Sequence, residues 1–200
     1  MTVKRFSLVP LSGRDLDSVV ALHLAGLPYS INSKLGACHL GRLYMTMAQD
    51  PDSFVRIARD ETGPIGVVSA TLEAHSLKKR LMSRVSIGEK FLLAARMIFH
   101  PSIFGEWFQT QSTDRPVIYK GSVVNPCLTT IVVHSNCRRS GAGKALVSAV
   151  DAFVLDRARN AYYLDTRADN QPSRAFYRSL GFIEFEQRGR DIVLVKEVRQ

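Results

Sequence analysis

Two rhythms of apolar residues run along the first 75 positions. Residues 6–10 alternate weakly between apolar and polar and predict an edge strand. Ser12 or Asp15 then precedes Leu16, Val19, Val20 and Leu24, whose spacing of three and four predicts a capped helix ending near Gly26. Leu27-Pro-Tyr interrupts it, and residues 33–49 resume a helical pattern with Leu35, Leu43 and Met47 on one side. Asp50-Pro-Asp-Ser predicts a turn. Two strands follow, 54–59 and 65–72, joined by Glu61-Thr-Gly-Pro, whose Gly and Pro favour a hairpin. The opening order is therefore β-α-α-β-β. Residues 77–82 and 88–101 read as helix, with Phe104, Trp107 and Phe108 beyond them. A β-rich run then breaks into a glycine-containing loop and a helix over 144–156. After it come a strand near Leu164, Asn170, and a short helix that starts near Pro172 and stops at Gly181.

Composition adds bounds. Two hundred residues, 46% of them apolar, are enough for one well-buried core. No repeat, low-complexity stretch or linker divides the chain, and no run approaches the roughly eighteen apolar residues of a membrane span. Met1-Thr-Val-Lys-Arg-Phe-Ser has no apolar stretch behind its charges, so no secretory signal is expected. Cys38, Cys127 and Cys137 are odd in number and lack metal spacing, which fits a reduced, cytoplasmic setting. Cys137 reads as a filler residue. His23 and His39 are isolated and carry no ligand spacing, so no metal is expected. The net charge of +9 is unevenly placed: residues 1–75 balance to zero, whereas residues 76–120 hold eight basic and three acidic side chains. That local excess includes Lys78-Lys-Arg80.

Chemistry concentrates in Thr130-Ile-Val-Val-His-Ser-Asn-Cys-Arg138-Arg-Ser-Gly141-Ala-Gly143-Lys144. Glycines at 141 and 143 allow a tight turn with uncovered N–H groups, and the following helix points its positive end at the same spot. Arg138, Arg139 and Lys144 add full charges. The arrangement predicts a bound polyanion. It is not the nucleoside-triphosphate loop, because Arg138 and Ala145 stand where that loop needs Gly and Ser or Thr. Nor is it the dinucleotide fingerprint, because Leu146 replaces the third small residue.

Read as Arg138-x-x-Gly141-x-Gly143, the loop resembles the coenzyme A pyrophosphate loop of the GNAT superfamily of N-acetyltransferases. A second stretch, Asn170-Gln-Pro-Ser-Arg-Ala175-Phe-Tyr177-Arg-Ser-Leu-Gly181-Phe182, resembles the other signature of that family, in the family's order and spacing. The resemblance covers roughly residues 125–198. It implies a single α/β domain over 1–200, with a mixed, mostly antiparallel sheet and helices on both faces. The segment of about 76–120 is then a helical insertion between the third and fourth strands of the family order. A lid over the acceptor site, a homodimer surface, and peripheral membrane contact through 76–100 or nucleic-acid contact compete to explain it. Nucleic acid is the weakest of these, since no aromatic residues interleave the basic ones.

The resemblance also implies roles. Backbone N–H groups near Ile131 and Val133 would bind the pantetheine arm and polarise the thioester of acetyl-CoA. The loop of Arg138, Arg139, Ser140, Gly141, Ala142, Gly143 and Lys144 would hold the pyrophosphate, and Asn170 would contact the arm. Tyr177 stands at the family's general-acid position for the departing thiolate. No base is evident. Residues 123–133 hold no carboxylate, which leaves Thr129 or Thr130 acting through water, or Glu73 or His75 after the third strand. His134 reads as structural. The implied function is acetyl transfer to a primary amine of a small molecule by direct attack, without metal. A protein or peptide acceptor is the alternative within the enzyme class. A non-catalytic acyl-CoA sensor is the alternative outside it.

Overall fold

The computed structural model describes residues 6–83, 88 and 115–199. The chain runs β1 (Ser7–Pro10), a 3-10 turn (Gly13–Asp15), α1 (Leu16–Gly26), α2 (Ile31–Lys34), α3 (Ala37–Ala48), β2 (Ser53–Asp60), β3 (Gly63–Thr71) and α4 (Ala74–Ser83). It continues with β4 (Val117–Tyr119), β5 (Ser122–Val124), β6 (Cys127–Val133), a second 3-10 turn (Ser135–Cys137), α5 (Ala142–Asp156), β7 (Ala161–Arg167), α6 (Gln171–Ser179), β8 (Ile183–Arg188) and β9 (Asp191–Glu197). Seven strands form one sheet in the order β1-β2-β3-β6-β7-β9-β8, mixed and mostly antiparallel, with β6 and β7 parallel.

Helices cover both faces, and the alternation of β3 records it. Val67 packs under α1 and α3 with Val19, Leu40, Tyr44 and Met47. Its neighbour Val68 faces the other way, under Leu146, Val147, Val150 and Val154 of α5. A strand buried on both sides reads as a continuous apolar run, as residues 65–72 do. The far half of the first face has its own cover, the β4–β5 hairpin, whose Val117 and Val124 pack on Val193 and Val195 of β9.

Three elements depart from the sequence reading. The helix expected over 33–49 is split, because Gly36 takes φ +94 and starts α3 afresh after the short α2. Ser30 caps α2 by accepting the Ser33 N–H at 3.1 Å. The insertion, expected to be helical to about residue 120, has α4 at its start but closes in the β4–β5 hairpin. The helical reading of residues 89–101 and the aromatic residues Phe104, Trp107 and Phe108 lie outside the described residues. Finally, Arg80 is committed to the fold: its guanidinium donates to Asp50 Oδ2 at 3.1 Å and Thr71 Oγ1 at 3.2 Å. One third of the basic trio at 78–80 is thus a tether for α4. Among the described residues, no helix is long and apolar enough to cross a membrane, and no cluster of potential metal ligands occurs.

Candidate active site

The parallel pair β6 and β7 holds together at one end only. Cys127 is in register with Tyr163, whose N–H donates to Pro126 O at 3.0 Å, and beyond that point no further pair is in register. The strands therefore part toward Val133 and Arg167. Where they part, β6 carries one extra residue. Ser69 of β3 faces Thr130 and Ala70 faces Leu128, so Thr129 is left over as a bulge. Its hydroxyl lies 2.8 Å from Ser69 Oγ and donates to Ser69 O at 3.1 Å.

The ladder fixes which backbone groups look into the gap. His134 N–H donates to Ile65 O at 2.8 Å, so residues 65 and 134, 67 and 132, and 69 and 130 are the hydrogen-bonded pairs. Alternation turns the N–H groups of Ile131 and Val133 away from β3, into the space that β7 has vacated. These are the two donors that the sequence reading singled out.

At the open end of β6 the chain turns through His134, whose Nδ1 accepts the Asn136 N–H at 3.2 Å, and reaches the basic loop. Arg139 takes φ +63 and Gly141 φ +89, which curls the loop so that several N–H groups face one side. The N–H groups of Arg139, Ser140, Gly141, Gly143 and Lys144 have no partner among the described residues. Ala142 N–H has only Ser140 Oγ at 3.4 Å, and the first intrahelical bond is Ala145 N–H to Gly141 O at 3.0 Å. Arg138, Arg139 and Lys144 are exposed around this rim. Five free donors, a helix N-terminus and three cations fit a pyrophosphate. The two glycines serve different ends. Gly141 is needed for its left-handed backbone, with open space where a side chain would be. Gly143 is needed for contact: a Cβ there would stand 3.1 Å from Phe176 Cζ of α6.

α6 forms the opposite lip. Asn170 caps it by accepting the Ser173 N–H at 3.2 Å, with Pro172 in the first turn. Its C-terminus closes with Phe182 N–H on Tyr177 O at 3.1 Å and Gly181 N–H on Arg178 O at 3.1 Å, a Schellman pair. Arg174 locks it to β8 with two 2.8 Å bonds to Glu184. The Tyr177 ring is buried edge-on against Phe182 at 5.4 Å and beside Phe176 at 5.3 Å. No described residue takes its hydroxyl, and no buried side-chain oxygen lacks a partner, so the hydroxyl is open to the cleft. Burial first, and then the charge of Asp165, hold the phenol above its ordinary pKa.

The candidates for a base fare less well. Glu73 and His75 follow β3 at the closed end of the gap, where Ala74 N–H meets Asn125 O, and Glu73 pairs with Arg159 at 3.5 Å. Thr130 is buried and the Thr129 hydroxyl is taken by Ser69. A carboxylate that the sequence reading passed over lies beside the gap instead. Asp165 is on β7 two residues beyond Tyr163, where the strands begin to part. The protein crowded around it, then the neighbouring Asp191, push its carboxyl up. Only its place in an alternating strand, Tyr163-Leu-Asp165, could have signalled it. A separate groove of about 720 Å³, lined by Tyr119, Lys120, Asn160 and Arg199 among others, lies at the closed end and includes none of the loop residues.

Residues 115–182, which hold β6, β7, the loop and all of α6, match the acetyltransferase (GNAT) family. The match spans about a third of the chain, the part that carries the gap and the loop. The whole chain also superposes on solved structures. The PaiA N-acetyltransferase from Thermoplasma acidophilum, in complex with coenzyme A, is 13% identical, with a TM-score of 0.64 over 96% of this chain and 99% of that one. The structure named SsHAT is 19% identical, with a TM-score of 0.68 over 98% and 99%. The ribosomal-protein-S18-alanine N-acetyltransferase from Escherichia coli is 14% identical, with a TM-score of 0.57 over 98% and 96%. At these identities the likeness is one of fold. No curated protein matches the chain in sequence.

Proposed function

We propose that this protein moves an acetyl group from acetyl-CoA to a primary amine of a small molecule, by direct attack within the gap between β6 and β7. The observation that carries the reading is the juxtaposition of two unpaired N–H groups, at Ile131 and Val133, with the donor-lined loop at the same end of β6. The loop from Arg138 to Lys144 holds the pyrophosphate, and Ile131 and Val133 hold the arm and polarise the thioester carbonyl. Bound acetyl-CoA supplies an activated acyl group. Donors preset around the carbonyl favour the charge that builds on its oxygen. Tyr177, open at its hydroxyl and protonated at neutral pH, hands a proton to the sulfur as it leaves.

A small acceptor is supported by the cover on the first face of the sheet. The β4–β5 hairpin packs over β9, and Arg188 fastens the chain leading into it by donating to Arg115 O at 2.8 Å and Pro116 O at 3.3 Å. Extra chain strapped beside the acceptor side narrows it for a polypeptide. The fold neighbour that acts on a ribosomal protein keeps a protein acceptor as the second reading.

Calorimetric titration with acetyl-CoA, beside a Gly141→Glu, Gly143→Glu variant, tests the donor site. Binding that disappears in the variant is expected. Thiol release with tyramine, glucosamine, spermidine and lysine then tests the acceptor class. No binding by folded wild-type protein would overturn the reading, and turnover confined to peptides would replace its acceptor.

A further inference from the structure

We propose that Asp165 accepts the proton of the incoming amine. The inference rests on the transferase reading and fills the role for which the family signatures offer no residue here. It begins with a count of charges on the C-terminal strands. Glu184 is held by Arg174 and Arg178, Glu186 by Arg188, Asp191 by Arg167 at 4.0 Å, and Glu197 by Lys120 and Arg199. Asp165 forms no ion pair with any described residue; its carboxyl has its own backbone N–H and, at longer range, the charge of Arg188. Among the described residues, no ion pair ties this carboxylate to the fold.

Its position carries the inference. The register Cys127 with Tyr163 puts Asp165 level with the Thr129 bulge, where the strands begin to part. On β7 it alternates with Leu164, which is buried under α5, so it looks out on the opposite face, where β9 contributes Val193 beside it. Its charge is felt at Cys127, Tyr163 and Tyr177, which border the same gap. Asp191 from β9 raises the energy of its ionised form and Arg188 from β8 lowers it. A carboxyl lifted above the ordinary range in this way is a better proton acceptor than a free one. The natural partner of two adjacent carboxylates with one accessible is a cation that comes from solution, an alkylammonium.

The step balances. The amine arrives as R–NH3⁺ and gives one proton to Asp165. Its lone pair adds to the thioester carbon, forming the C–N bond, and the C–S bond breaks as sulfur takes the proton of Tyr177. The amide nitrogen sheds its surplus proton through water to the Tyr177 phenolate, and Asp165 releases its own to solvent. The sum is one amide, one thiol and one proton.

Asp165→Asn and Asp165→Glu, assayed by thiol release with the best acceptor of the four amines above, test it. Both variants keep a side chain of similar shape beside Val193 and leave Leu164 in place, so both are expected to fold and to bind acetyl-CoA as wild type does. At neutral pH the Asn variant is expected to lose about 10²-fold or more in kcat/KM. The gap closes as pH rises toward about 10, where a typical amine arrives already neutral. The Glu variant keeps part of the rate. Wild-type rates in Asp165→Asn, or an equal loss at every pH, would overturn the proposal while leaving the transferase reading intact. Failure of wild type to bind acetyl-CoA would overturn both.

Discussion

Tyr177 shows how one side chain can be fixed and reactive at once. Its ring packs between Phe176 and Phe182, so its direction is set by the core rather than by a hydrogen bond. Its hydroxyl is left open, and burial keeps it protonated at neutral pH. Such a phenol stays protonated until negative charge develops on the sulfur beside it. Tyr177→Phe keeps the ring contacts and removes the proton. It is expected to lower kcat by about 10²-fold or more while acetyl-CoA affinity, measured by titration, stays unchanged. Loss of affinity in step with rate would instead make Tyr177 a binding residue. At this scale legibility followed sequence distance. Arg138, Gly141, Gly143 and Tyr177 sit in short motifs whose spacing is itself the signal. Asp165 and the Thr129 bulge acquire meaning only when Cys127 is set beside Tyr163 and Ser69 beside Thr130, and no local pattern states a register.

Elements were legible where the apolar period was long enough to exclude alternatives. β2, β3 and α5 meet that condition, and each formed within a residue or two of its expected limits, apart from the two loop residues that open α5. The β4–β5 hairpin has strands of only three residues, too short for alternation to register. Its turn is made by Lys120 and Gly121, which both take positive φ, at 50° and 78°, as a two-residue hairpin requires. The interface of α5 and α6 carries a sharper consequence. Gly143 touches Phe176, so the loop that holds the anion and the helix that carries Tyr177 are in direct contact. Gly143→Ala introduces a methyl group 3.1 Å from the Phe176 ring and is expected to destabilise the fold by about 1–3 kcal/mol. Phe176→Leu makes room for that methyl. The double variant is expected to recover part of the loss in urea midpoint, giving a favourable coupling between the two sites. Additive losses would mean that the contact is not what requires glycine. Gly141→Ala needs no such partner, since it strains the backbone by about 1–2 kcal/mol without touching anything.

The molecule as a whole is one sheet covered on both faces, and the α5–α6 and α1–α3 layers answer differently to acid. α5 and α6 bury almost only carbon on their side. The α1–α3 layer contains His23, fully buried, with Nδ1 2.7 Å from Tyr44 Oη and Nε2 3.3 Å from Ser30 Oγ. Through Ser30 and Ser33, whose hydroxyl donates to Leu27 O at 2.7 Å, this network holds residues 27–30. That loop follows directly on Gly26, where a Cβ would overlap Val132 Cγ1 of β6, so it sits beside the open end of the gap. Burial lowers the His23 pKa from 6.5 to about 4. Between those values the unfolded chain binds more protons than the folded one, so stability falls as pH drops from about 6.5 to about 4. The loss is on the order of 3 kcal/mol. Asp165 and Asp191, both raised, gain a proton more readily in the folded chain and contribute in the opposite sense. A pH scan of wild type alone would therefore mix the two. His23→Gln can keep hydrogen bonds to Tyr44 and Ser30 but cannot titrate. Its urea midpoint is expected to fall less steeply than that of wild type between pH 6.5 and about 4. Parallel curves would assign the acid sensitivity elsewhere. A wild-type curve that steepens alone would place it in the layer that holds the 27–30 loop at the mouth of the gap.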